Sequence, residues 1–467
     1  MAFGDWGEMQ VQPTILGIAH PTGYPTYLLL AHFAELVPLG SVAFRANVLS
    51  AVFVALAIAT VVLIEVRLGV RPILAAAAAL ALGGVGTIWA AATVAEVNPL
   101  HLLFAALILH RALVWAERPR VRDLALGGLL VGLSFGNHLL TIAIAPFVAV
   151  FVAWTGRRIF AVRPGLLLVP LAAVAIGLSV YLYIPIRAAQ NPPLAYNHPT
   201  TLDAVLWLVS GHQFRSQFDF LTSNGPAELL AALPGLATLA EARATLILPI
   251  LGLIGLVALA RRRPAVAALL GAMLLGGVYI WANYLRLEHY LLVPWLLIGI
   301  AAGVALERIA ERVPRWAGGV AALAVLFAVA LGVSTAPVAD LSGDRSGDAY
   351  VSSVMESVPR DAVILSQWDT STPLWYGQLI AGDRPDVLVL DDSNIVYDGW
   401  GTRERAIAAY VCQRPVFMMR LDEADLDSTR AAYVLLPFMD VRVAIGGPTA
   451  IADRTIYRVA APAGCTS

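Results

Sequence analysis

Lysine is missing altogether: the 31 cationic side chains are all arginine, and residues of either charge make up only 13% of the 467. A soluble domain usually carries about 25%. With 59% hydrophobic residues and a mean hydropathy of +0.75, this chain has more apolar surface than a water-facing globule can hide, and lipid is the solvent that takes it. A net charge of −1 says nothing about nucleic acid, and no basic tract points to it, so no nucleic-acid partner is expected. Cysteine is nearly absent too. Cys412 and Cys465 lie close to the C-terminus; one disulfide and two unrelated thiols are both open readings. No charged segment followed by an apolar core opens the chain, so no signal peptide is expected.

What the sequence has instead is a series of apolar runs of about 20 residues, the length that spans a bilayer. They cover 43–66, 72–95, 98–115, 165–187, 245–260, 264–284, 290–307 and 316–338. The stretch 124–154 is interrupted by Gly136-Asn137-His138 and reads as two short helices meeting at that break. Arginine bias orients the set. Arg67 and Arg71, Arg118 to Arg122, Arg157 to Arg163, Arg261 to Arg263 and Arg308 to Arg315 alternate with sparse connections, and the alternation holds only if 124–154 crosses twice. The arginine-rich side is assigned to the cytoplasm. Residues 1–42, the turn at 95–98, the loop 188–244 and the tail 339–467 then share the other side. The tail alternates short apolar runs (362–365, 387–390, 416–419, 433–436) with polar helical stretches, a pattern that predicts a small α/β domain. The expected organisation is a first extracytoplasmic loop at 1–42, a multispanning domain at 43–338 and a soluble domain at 339–467.

Polar groups at the ends of spans are costly unless they are used or paired. Arg45 with Asn47, Glu96 with Asn98 and His101, Asn137 with His138, and Arg187 all map to the non-cytoplasmic side. Asp5 and Glu8 are three apart, so one helical turn puts both carboxylates on one face. Beside a membrane such a carboxylate loses hydration and becomes a better base; the plain alternative is a solvated acidic N-terminus. The run His20-Pro21-Thr22-Gly23-Tyr24-Pro25 holds a defined backbone path and offers His20 and Tyr24 as polar handles. Arg45 and Arg187 offer bidentate forks for a phosphate. His198 and His212 in the long loop lack a partner at metal-ligand spacing, so no metal site is assigned. Trp368-Asp369 and Asp391-Asp392 each follow a predicted strand, where open α/β sheets bind ligands; Trp368, Trp375 and Trp400 offer flat faces on which sugars or peptides could stack, with core and domain–membrane packing the favoured reading.

Taken together, Gly4-Asp5-Trp6-Gly7-Glu8, His20 to Pro25, Arg45-Ala46-Asn47 with Ser50-Ala51, Ala95-Glu96-Val97, Asn137-His138 and Tyr183-Ile184-Pro185-Ile186-Arg187 resemble the transmembrane protein O-mannosyltransferase-like family of the C-type glycosyltransferase superfamily. The tail resembles it through Trp368-Asp369, Trp375-Tyr376 and Arg384-Pro385-Asp386. Trp6 stands where the family has Ser, and Thr22 where it has Pro. Family members also carry a spanning helix ahead of the acidic motif; the expectation here is a late start or a truncation.

The resemblance implies a polytopic α-helical membrane protein of C-type glycosyltransferase fold with a small extracytoplasmic α/β domain. The implied reaction moves a sugar from a polyprenyl-phosphate donor to an acceptor hydroxyl on protein or glycan, with protein O-mannosylation one form. Asp5 would be the base and Glu8 its partner. His20, Tyr24, Arg45, Glu96, Asn137 and His138 would shape the donor pocket, and Arg187 would meet the donor phosphate. No cofactor is implied beyond the donor; a divalent metal has no support in the sequence. The competing readings are a transporter or flippase of lipid-linked saccharide, which predicts inverted repeats, and a non-catalytic assembly protein.

Overall fold

The computed structural model describes residues 1–217, 225–392, 395, 399–444 and 451–465. Part of the long loop, Ser393 and Asn394 lie outside the described residues.

The N-terminal stretch is helical rather than a loop. Helix α1 (Gly4–Ile15) and α2 (Pro25–Glu35) precede the first long span, α3 (Val42–Arg67). Pro25 starts α2 at the position where its missing N–H costs nothing. The expected span 72–95 is broken into α4 (Pro72–Gly83) and α5 (Gly86–Thr93), which meet at 68°. Gly83-Gly84 supplies the weak point, and the freed Gly84 carbonyl accepts from Thr335 Oγ1 at 2.8 Å. Next come α6 (Val97–Glu117), α7 (Val121–Phe135), α8 (Ala145–Val162) and α9 (Leu168–Leu178). The interruption at 136–138 separates α7 from α8. Helices α7 and α9 meet backbone to backbone: a Cβ at Gly132 would lie 2.3 Å from the Val174 carbonyl oxygen.

The 188–244 region carries helices of its own. After α10 (Tyr183–Ala188) and α11 (Leu202–Val209), α12 (Gly225–Ala244) forms on an Ala- and Leu-rich stretch of high helix propensity. It turns by 110° into α13 (Ile247–Arg262). Helices α14 (Pro264–Ala282), α15 (Leu292–Arg312) and α16 (Ala317–Ala339) complete the membrane part. Among the described residues, 7 helices are long and apolar enough to cross a bilayer, or up to 9 if each bent pair is one span. The chain is a multi-pass membrane protein. Its buried core runs through α3, α4, α6 and α15, while α9, α13 and α16 show apolar side chains outward, as lipid-facing helices do.

The tail folds into α17 (Ser346–Ser357), β1 (Val363–Ser366), α18 (Trp368–Tyr376), β2 (Leu388–Asp391), α19 (Arg403–Tyr410), β3 (Val416–Met418), α20 (Asp427–Ala432), β4 (Leu435–Ala444) and β5 (Ile451–Val459). The sheet order is β2-β1-β3-β5-β4; β1 runs parallel to β2 and β3, and β5 antiparallel to β3 and β4. Cys412 and Cys465 are bonded, which resolves the two open readings. The expected fold class, a polytopic helical protein with a small C-terminal α/β domain, is borne out.

Helix α1 rests on this domain. Gly4 has φ +59°, and a Cβ there would lie 2.8 Å from Asp369 Oδ1. A Cβ on Gly7 would stand 2.6 Å from Thr372 Oγ1. Glycine at these two positions lets α1 press against α18, and so sets the acidic residues between the two parts of the molecule.

Candidate active site

Glu8 is buried on α1 and faces the loop 16–24. Its Oε2 lies 2.5 Å from His20 Nδ1, and its Oε1 accepts from the His20 backbone N–H at 2.9 Å. Gln12, one turn on, donates to Glu8 Oε1 at 3.4 Å and to the Ile18 carbonyl at 3.2 Å. On the far side of the ring, His20 Nε2 is 2.9 Å from the Tyr24 hydroxyl, which itself donates to the Pro21 carbonyl at 2.9 Å. A phenol has one proton to give. With that proton on Pro21, His20 must donate from Nε2, and Nδ1 donates to Glu8. His20 is therefore an imidazolium. Burial alone would lower its pKa, but the Glu8 carboxylate, with Asp5 behind it, raises it to about 9.

Asp5 is exposed, one turn before Glu8 on the same face. Trp368, at the start of α18, donates its indole N–H to Asp5 Oδ1 at 2.8 Å. The same indole stands edge-on to His20, Tyr196 and Trp375, with ring centroids 5.6, 6.0 and 5.9 Å away. The soluble domain thus reaches the acidic pair directly. From the sequence, Trp368 read as a packing residue. The one available signal was its place just beyond the carboxyl end of a strand.

The loop is held by the segment 181–196. Ile18 N–H donates to the Leu194 carbonyl and Tyr196 N–H to Ile18, both at 3.0 Å, and Tyr183 donates its hydroxyl to Gly17 at 2.7 Å. Arg187 belongs to this scaffold. Its Nε donates to Leu16 at 2.7 Å, one Nη to Ile15 at 3.2 Å, and the other to Gln190. These are the orphan carbonyls at the end of α1. Two donors of Arg187, the residue expected to meet the donor phosphate, thus cap α1, and a third serves Gln190.

The other predicted residues divide. Ring contacts lead from Tyr24 to His138 (6.0 Å), and on to His101 (5.8 Å) and Tyr290 (5.9 Å), which stacks on Tyr284 (5.3 Å). Glu96 caps α6 by accepting from Val97 N–H at 2.8 Å. Burial pushes its carboxyl up to about 7; Asp5 adds to the push, while Val97 and His20 resist it. Asn137 ties the α7–α8 break to α6 by donating to the Val97 carbonyl at 3.0 Å. Arg45 stands apart, donating to the Gly40 carbonyl at 3.0 Å. Its charge bears on Glu35, whose carboxyl burial pushes up to about 8. So Asp5, Glu8, His20 and Tyr24 come together, His138 and Glu96 adjoin them, and Asn137, Arg45 and Arg187 serve the frame. Gln12 and Tyr196 join the site without having been marked in the sequence.

No metal was assigned from the sequence. Among the described residues, one ligand atom each from Asp5, Glu8 and His20 lie within 4.8 Å of one another, a set able to hold a divalent cation. A cation there would have to displace the proton that His20 shares with Glu8.

A many-helix membrane domain joined to a small α/β domain, with an acidic pair where they meet, is the arrangement that the motif resemblance implied. Comparison with known proteins agrees. Residues 5–159 match the family described as Protein O-mannosyl-transferase TMEM260 N-terminal domain. The mouse Protein O-mannosyl-transferase TMEM260 is 26% identical over 428 residues, covering 85% of this chain and 60% of that protein. The chain thus spans about three-fifths of the length of this relative. Crystal structures of ArnT from Cupriavidus metallidurans share the fold. The apo form has a TM-score of 0.59 at 13% identity, covering 98% of this chain and 94% of ArnT. The form bound to undecaprenyl phosphate has 0.61 at 12%, covering 100% and 95%. The family resemblance read from the motifs is borne out.

Proposed function

We propose that this protein is a membrane glycosyltransferase that moves a sugar from a polyprenyl-phosphate donor to an acceptor hydroxyl, on the face that carries Asp5 and the soluble domain. The observation that carries the reading is the Asp5, Glu8 and His20 cluster, roofed by Trp368. Asp5 is the member of the pair open to an incoming acceptor, and it acts as general base. The acceptor oxygen attacks the anomeric carbon as its proton passes to Asp5. The bond from that carbon to the phosphate oxygen breaks, and polyprenyl phosphate leaves. Glu8, neutralised by His20, holds the loop in place rather than taking the proton. The imidazolium supplies positive charge where negative charge moves.

The relatives support the substrate classes. The mouse protein is named for O-mannosyl transfer, and one ArnT structure holds undecaprenyl phosphate. By this reading the acceptor is a protein hydroxyl, the sugar is mannose, and the α/β domain lies outside the cytoplasm.

The test is transfer by purified protein reconstituted in liposomes with radiolabelled polyprenyl-phosphate sugars. One sugar should release free polyprenyl phosphate, and Asp5→Asn should lower the rate by at least about a hundredfold, the scale of general acid–base catalysis. Undiminished sugar handling by Asp5→Asn would return the case to a transporter.

A further inference from the structure

A cavity of about 420 Å³ opens between α8 and the α7–α9 pair, floored by α6, with its polar end toward the arginine-rich side of the membrane domain. This is within the range of about 300–1,000 Å³ typical of small-molecule sites. Its walls are almost wholly apolar. Along α8 it runs from Ala145 to Phe160, about 22 Å at 1.5 Å per residue. Its rim includes Leu167 and Leu171, which are 43% and 64% exposed, so it opens sideways toward the surrounding bilayer.

The polar atoms in it sit together near its arginine-rich end. Asp123 lies in the first turn of α7, close after Arg118, Arg120 and Arg122 in sequence. It is 2% exposed. Its Oδ1 accepts from Arg111 Nη1 at 3.3 Å, and its Oδ2 has no hydrogen-bond partner. Trp115, also 2% exposed and stacked on Phe160 at 5.7 Å, has no acceptor for its indole N–H. Arg111 spends one further donor on His110 Nδ1, at 2.9 Å. A buried carboxylate oxygen and a buried indole N–H without partners each carry a desolvation cost. One wall therefore lacks a donor, the other lacks an acceptor, and an arginine stands between them.

We propose that this groove binds a glycerophospholipid with a primary-amine headgroup, as in phosphatidylethanolamine, from the leaflet on the arginine-rich side. An acyl chain fills the apolar length. The phosphate and ester oxygens accept from Arg111 and Trp115. The ammonium donates to Asp123 Oδ2. A trimethylammonium headgroup has no N–H to give, and a purely anionic one meets Asp123 with like charge, so this chemistry selects the amine. The inference is independent of the transfer reaction.

Native mass spectrometry of the purified full-length chain, delipidated and then titrated with phosphatidylethanolamine, phosphatidylcholine or phosphatidylglycerol, tests it. Wild type should retain one phosphatidylethanolamine per chain, with phosphatidylcholine about tenfold weaker, the equivalent of one charge-assisted hydrogen bond. Asp123→Asn should remove that preference. Ala153→Phe, which places a ring in the apolar passage without touching Arg111 or Asp123, should abolish retention. Trp115→Phe leaves a smaller aromatic ring without the N–H, and should weaken all three lipids alike; it carries the polar arm should Asp123→Asn fail to fold. Equal retention of the three lipids by wild type, or unchanged retention by Ala153→Phe, would show annular lipid only and overturn the proposal.

Discussion

Trp368 Nε1 lies 2.8 Å from Asp5 Oδ1, although 363 residues separate them in the chain. The contact joins the soluble domain to the residue proposed as base. It fixes one carboxylate oxygen of Asp5, which is otherwise exposed.

Trp368→Phe leaves a smaller aromatic ring beside His20 and Tyr196 and removes the N–H. A hydrogen bond to a charged group contributes about 1.5–3 kcal/mol, and the lower end applies to this exposed contact. The expected result is a fall in kcat of about tenfold, with KM for the donor unchanged. Steady-state kinetics decide it; a rise in KM alone would make Trp368 a wall of the donor site instead.

The pH dependence of stability follows from His20. Its pKa in the folded protein, about 9, is above the ordinary 6.5 because Glu8 and Asp5 outweigh burial. The imidazolium's contribution is therefore complete below about pH 6.5 and is lost as pH rises through about 9. Thermal midpoints between pH 6.5 and 10 should fall for wild type and stay flatter for His20→Gln. Parallel curves would place the proton elsewhere.

Much of this was legible in the residues. Apolar runs, arginine bias and alternating short strands gave the membrane helices and the α/β tail, because lipid and water impose different compositions. The acidic motif and the His20 loop stood out for the chemistry of their residue types. What sequence could not show was pairing at a distance. The choice of Trp368 as partner of Asp5, and of Arg187 as the cap of α1, depends on three-dimensional approach. Spacing carries no trace of it. The glycines at 4 and 7 were visible as a motif, but their reason, close contact with Asp369 and Thr372, lies in another domain. The helices within 188–244 are not legible because that stretch mixes polar and apolar residues and is punctuated by proline.

The Cys412–Cys465 bond ties the end of the chain to the segment after α19, across 53 residues. Closing a loop of that length restricts the unfolded chain by about 4 kcal/mol in the chain-entropy model. Reduction, or Cys412→Ser with Cys465→Ser, should lower the denaturant midpoint of the soluble domain and leave the helical signal of the membrane domain in place. Loss of both signals in one transition would mean that the two parts unfold as a unit.

Arg187 offers the sharpest choice between two roles. As a cap it serves the Ile15 and Leu16 carbonyls, two turns after Glu8 on the same helix. Arg187→Ala strands those carbonyls and should cost about 1–3 kcal/mol of stability. It should also lower kcat, because a loosened helix end shifts Glu8 and with it His20. KM for the donor should hold. Arg187→Lys supplies a point charge without the planar fork and should recover only part of the loss. A phosphate ligand would behave in the opposite way: KM for the donor would rise and the thermal midpoint would stay where it is. Thermal midpoint and donor KM, measured on the same two variants, separate the roles without any assumption about which sugar is carried.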